Sequence, residues 1–98
     1  MRPILESATT IARSPDAVSR AVAGEALVFD LGSNRFFTLD GVGTRVWGLI
    51  AQPTTFGEVL AAMLSEYDVE EERLAEDLQR LFGEMAEGRL VRLDGPPR

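Results

Sequence analysis

The chain has 98 residues, 16 Asp plus Glu against 10 Lys plus Arg, a net charge of −6, and neither His nor Cys. That length predicts one domain with a modest core. The missing residue types exclude disulfides, thiolate nucleophiles, zinc sites with Cys or His ligands, and imidazole bases. Every cation is Arg, and the acidic balance opposes non-specific nucleic-acid binding, which needs clustered positive charge. Neither a signal peptide nor a membrane span is legible, so the expected location is cytoplasmic, with no membrane partner.

Residues 1–16 read as a partly ordered arm, with a short strand near Thr10 to Ala12 and a turn at Ser14-Pro15-Asp16. From Ala17 to Leu39 the hydrophobic period is close to two. Val18 to Val22 is a strand, Ala23-Gly24-Glu25 a tight turn, and Ala26 to Leu31 a second strand with Leu27, Phe29 and Leu31 on one face and Val28 and Asp30 on the other. Gly32-Ser33-Asn34 is a hairpin loop, because Gly and Asn tolerate positive φ. Arg35 to Leu39 returns as a third strand, with Phe37 and Leu39 on one face and Phe36 and Thr38 on the other, turned away from the core.

At Asp40 the period becomes helical. Asp40 caps a helix that carries Val42, Val46, Trp47, Leu49 and Ile50, and Gly43 and Gly48 are expected to permit close packing. Gln52-Pro53-Thr54 breaks the chain. Thr55 with Glu58 is a capping box, followed by the stripe Phe56, Val59, Leu60, Met63 and Leu64. Asp68 is the expected cap of the third helix, whose stripe is Leu74, Leu78, Leu81, Phe82 and Met85 and whose ion pairs are Arg73 with Asp77 and Glu76 with Arg80. Gly88 stops it, Arg89 to Leu93 reads as a short last strand, and residues 94–98 as a frayed tail. The expected fold is α+β and winged-helix-like: an N-terminal three-stranded antiparallel sheet followed by three helices, with residues 17–93 as the working domain.

No catalytic constellation appears. Gly41-Val42-Gly43 lacks the third glycine and the βαβ setting of a dinucleotide fingerprint. The acidic run from Glu66 to Glu72 lacks the alternating ligands and central glycine of a calcium loop. The serines have no His to activate them. We therefore expect no enzyme activity, no metal and no cofactor.

The sheet edge is more informative. Arg35 to Leu39 contains no Pro and no Lys, so nothing in its own sequence guards its unpaired backbone groups. An added peptide strand would suit it, and so would cover by the arm or the third helix. A proline at Phe37 is expected to remove a donor from that edge. The same edge admits a strand-paired dimer as readily as a monomer.

The hairpin running into Leu39-Asp40, the Gly43-Thr44-Arg45-Val46-Trp47 helix, the Thr55-x-x-Glu58 start, Glu66-Tyr67-Asp68-Val69, and an Asp77-Leu78 helix ending in Gly88-x-Leu90-Val91 together resemble the PqqD-like family. The resemblance runs from about Val18 to Val91. It implies a domain that binds the N-terminal leader of a ribosomally made precursor peptide and presents it to a maturation enzyme. The implied groove has a strand wall of Arg35, Phe36, Phe37, Thr38 and Leu39, with Val28, Phe29 and Asp30 behind it. Its helix wall draws on Arg73, Leu74, Asp77, Leu78, Arg80 and Leu81. The implied enzyme partner is a lasso-peptide leader peptidase, which the Glu66–Val69 and Gly43–Trp47 segments favour. The alternatives are a radical-SAM enzyme of pyrroloquinoline quinone biosynthesis and, in a different class, a winged-helix domain on DNA.

Overall fold

The computed structural model describes residues 5–95. The order of elements is β1 (Thr10–Arg13), β2 (Ala17–Val22), β3 (Glu25–Asp30), β4 (Arg35–Leu39), α1 (Gly41–Leu49), β5 (Thr54–Thr55), α2 (Phe56–Glu66), α3 (Glu71–Glu87) and β6 (Val91–Asp94). β2, β3 and β4 form the expected antiparallel meander, with Val18 opposite Phe29 and Phe29 opposite Phe36.

A second three-stranded sheet, in the order β5-β1-β6, was not foreseen. The Thr10–Arg13 strand lies at its centre, paired to both β5 and β6. Its Ile11 is fully buried and belongs to the core. The first part of the arm and the last three residues of the expected tail lie outside the described residues.

Three helices enclose the core. Val46, Trp47 and Ile50 of α1, Phe56, Val59 and Met63 of α2, and Leu74, Leu78, Phe82 and Met85 of α3 meet Val28 and Leu39 of the meander. α1 begins as its sequence requires: the Asp40 carboxylate accepts from the Gly43 N–H at 2.8 Å. Thr55 likewise accepts from Glu58 N–H at 3.2 Å. The third helix differs from expectation. Its N-cap is Glu70 rather than Asp68, without a side-chain cap bond, because the α2–α3 connection runs two residues further than the acidic run suggests. The ion pairs differ too. Asp77 pairs with Arg80, one turn away at 2.8 Å, in place of the expected Arg73.

Arg13 and Trp47 join the two sheets through α1. The Arg13 guanidinium lies 4.2 Å over the Trp47 ring and donates to the Trp47 carbonyl, while the indole N–H donates to Ser19 of β2 at 2.9 Å.

Candidate peptide-binding edge and cleft

β4 is an edge strand: among the described residues only β3 pairs with it. Successive residues of a strand point their backbone groups to alternate sides, so the direction of each can be worked out. The Leu31 N–H reaches the Asp16 carbonyl on the β2 side, at 2.9 Å. The backbone groups of Val28 and Asp30 therefore face β4, where their partners are Phe37 and Arg35. It follows that Phe36 and Thr38 turn their N–H and C=O groups to the free edge. The Phe37 N–H belongs to the hairpin, so a proline there would damage the fold's own pairing and not the free edge. Thr38 is the position that tests the edge.

The far end of the hairpin is held by Thr44. Its hydroxyl donates to the Leu39 carbonyl at 3.0 Å and accepts from the Ala26 N–H at 2.9 Å, bridging the last pair of the ladder. The loop end is held by Asp30. Its carboxylate is almost wholly buried and accepts from the Ser33 hydroxyl at 2.6 Å and from the Gly32 and Ser33 N–H groups at 3.2 Å. The Ser33 hydrogen bond outweighs burial and, with those two N–H bonds and the charge of Arg89, keeps this carboxyl below its ordinary pKa. β4 is thus pinned at both ends and open along one side.

Beyond the end of β4 lies a cleft of about 310 Å³ between the start of α1, the end of α2 and α3. It brings together five of the six expected helix-wall residues, Leu74, Asp77, Leu78, Arg80 and Leu81; Arg73 is not among its lining. Leu74 and Leu78 are buried floor, whereas Asp77 and Arg80 are exposed on its rim. On the strand side, Arg35, Phe36 and Thr38 are exposed, Phe37 is half-buried and Leu39 is buried. Val28 is fully buried beneath the hairpin, Phe29 stacks on Phe36 with ring centroids 4.6 Å apart, and Asp30 closes the loop. None of these three lies on the free edge.

The cleft also uses residues that the periodicity argument assigned elsewhere or passed over. Val42 had been counted in the α1 stripe, yet it is 43% exposed at the cleft mouth, with Tyr67 and Val69 from the α2–α3 connection. The available signal was that Val69 is an apolar residue inside an acidic run.

Midway along β4 the strand packs against the end of α3. Phe37 lies so near Gly88 at the end of α3 that a Cβ on that glycine would stand 2.9 Å from the ring. The Gly88 φ is negative, so the glycine is required for space.

Among the described residues, no group of three or more acidic, His or Cys side chains could hold a metal ion, and no helix is long and apolar enough to cross a membrane. No curated protein matches the sequence. Among solved structures, that of TbiB1 in complex with the TbiA(beta) leader peptide is similar, with a TM-score of 0.79 and 27% identity over 83% of this chain and 94% of TbiB1. The family model described as coenzyme PQQ synthesis protein D (PqqD) matches residues 25–91, from the first residue of β3 through the first of β6. The hairpin, the three helices and the cleft between them all fall within that span, and the chain belongs to the PqqD family.

Proposed function

We propose that this domain recognises the leader of a ribosomally made precursor peptide without catalysing its modification, and presents it to a maturation enzyme in the cytoplasm. The observation that carries the reading is the free side of β4, with the Phe36 and Thr38 backbone groups turned outward next to a cleft walled by α3. A peptide strand there gains main-chain hydrogen bonds, and neighbouring side chains supply selectivity. The likeness to a leader-bound TbiB1 supports this ligand class. The Glu66–Val69 and Gly43–Trp47 segments favour a lasso-peptide leader peptidase as the enzyme. The match to the coenzyme PQQ synthesis family favours the second reading, delivery to a radical-SAM enzyme.

Fluorescence polarisation with labelled leaders from precursor genes adjacent to this one tests the proposal. Saturable binding at about micromolar affinity or tighter, near −8 kcal/mol, is expected. Thr38→Pro, which removes an outward donor, should weaken binding at least about tenfold, since a lost hydrogen bond and a poorer strand fit together exceed 1.4 kcal/mol. Its circular dichroism should stay that of the native domain. Absence of leader binding by the native domain would sink the reading.

A further inference from the structure

Arg35 and Arg89 stand at the loop end of β4, both exposed. Among the described residues neither has an ion-pair partner; the two salt bridges use Arg45 and Arg80. The fold brings these two cations together. The Arg35 guanidinium lies over the Phe37 ring, 5.3 Å from its centroid. That ring packs on Gly88, the residue before Arg89. Asp30 is the ladder partner of Arg35 and also feels the charge of Arg89. Its carboxylate would be a counterion for both, yet it is buried and its oxygens accept from Ser33 and Gly32 instead. We infer that Arg35 and Arg89 together form a docking site for one Asp or Glu side chain of the leader, and that this contact sets the register of the leader on β4. The inference rests on the peptide-recognition reading and adds a charge requirement to it.

The backbone of Arg89 is an independent argument. α3 ends in a Schellman turn: the Leu90 N–H donates to the Met85 carbonyl at 2.8 Å, and the Arg89 N–H to the Ala86 carbonyl at 3.1 Å. In that motif Arg89 occupies the left-handed position, with a φ of 62°. Glycine is favoured there, because a Cβ crowds the neighbouring carbonyl. An arginine in this place is held at some cost to the fold, and such strained positions cluster at functional sites. A cation at the C-terminal end of a helix also suits the helix dipole, so stability and binding have to be measured separately.

The charge along the edge is the third argument. Main-chain hydrogen bonds repeat along a strand, so they hold an added peptide without fixing its register. Charge can fix it. Arg35 and Arg89 mark one end of β4; Asp40 follows the other, and Asp77 and Glu84 line the cleft beyond it. The chain as a whole carries −6, so the arginine pair is a local exception on a surface that repels acidic peptides. An acidic leader residue is drawn to the arginine end and pushed from the Asp40 end. A guanidinium also matches a carboxylate in shape, offering two parallel donors.

Arg35→Gln, Arg89→Gly and the double variant test the site. Arg92→Gln, exposed on β6 and equal in charge change, is the control. Polarisation would be measured with the fluorescein-labelled leader of the adjacent precursor gene, and with versions in which each Asp is replaced by Asn and each Glu by Gln. Each single variant should bind about three- to fivefold more weakly and the double variant about tenfold, as partly exposed ion pairs allow. Arg92→Gln should bind like the native domain. One amide replacement in the leader should cost the native domain a similar factor and the double variant almost nothing. Raising NaCl from about 50 mM to about 500 mM should weaken native binding more than that of the double variant. Arg89→Gly should unfold at a urea concentration equal to or above that of the native domain, which separates lost binding from lost stability. Native-like binding by the double variant, or a loss that no acidic leader residue shares, would overturn the site and leave leader recognition standing. Failure of the native domain to bind any leader would overturn both.

Discussion

The Asp30 carboxylate reaches three donors of the loop that follows it, and this fixes the chain between β3 and β4. Its pKa lies below the ordinary carboxylate value, chiefly through the Ser33 hydroxyl. Glu66 is lowered as well, by its two-pronged hydrogen bond to Arg45. A carboxyl with a depressed folded pKa contributes stability above its unfolded pKa, and that contribution is lost as pH falls through the folded value. Thermal melts between pH 6 and pH 2 should therefore show stability falling from about pH 4 downward. Asp30→Asn should lower the melting temperature near neutrality and flatten that acid limb; an unchanged limb would show that Asp30 is not a source of it. Much of this loop was legible in sequence. Gly32-Ser33-Asn34 marked the turn, and Asn34 does take a positive φ of 60°. The Asp30 lock was not, because alternation shows that Asp30 and Val28 share a face and says nothing about a side chain folding back on its own loop. Gly88 was legible only as a stop. That it leaves room for the Phe37 ring depends on a contact between positions far apart in the chain. Gly88→Ala should cost about 1–3 kcal/mol in urea unfolding, by overpacking that contact.

At the level of elements, the helical stripes were read well because burial on a helix follows its own period. Phe56, Val59 and Met63, and Leu74, Leu78, Phe82 and Met85, are buried at the positions their spacing predicts. Phe82 is fully buried and meets Phe56 edge to face, with centroids 6.2 Å apart. Phe82→Ala should remove about 3–5 kcal/mol, a large part of the roughly 5–15 kcal/mol available to a domain of this size. Equilibrium urea unfolding would read it as a fall in midpoint with little change in slope. The second sheet shows the limit of the same reasoning. β5 is two residues long, and β1 has one fully buried side chain, Ile11, so neither offers a period to detect. Their partners are supplied by distant segments, Val91–Asp94 above all. The cap of α3 failed for a related reason: an acidic run offers several residues able to cap, and tertiary packing of the connection selects among them.

For the whole molecule, the meander has two outer strands, and β4 is the one beside the cleft. Its candidacy was visible in the lack of Pro and Lys from Arg35 to Leu39. The mouth of the cleft was not, since Val42, Tyr67 and Val69 come together only when α1 and the α2–α3 connection pack. The open edge has a consequence for association. Phe36 is 68% exposed, and an unguarded strand can pair with its own copy as well as with a peptide. At high concentration the empty domain should therefore form a strand-paired dimer through β4. A leader that uses the same backbone groups must compete with that dimer, because each outward N–H and C=O can serve one partner strand at a time. Sedimentation equilibrium should show dimer in the empty protein giving way to a one-to-one complex as leader is added. Thr38→Pro should lower both affinities together. A dimer that survives saturating leader would place self-association on β2, the other outer strand, and leave β4 to the peptide alone.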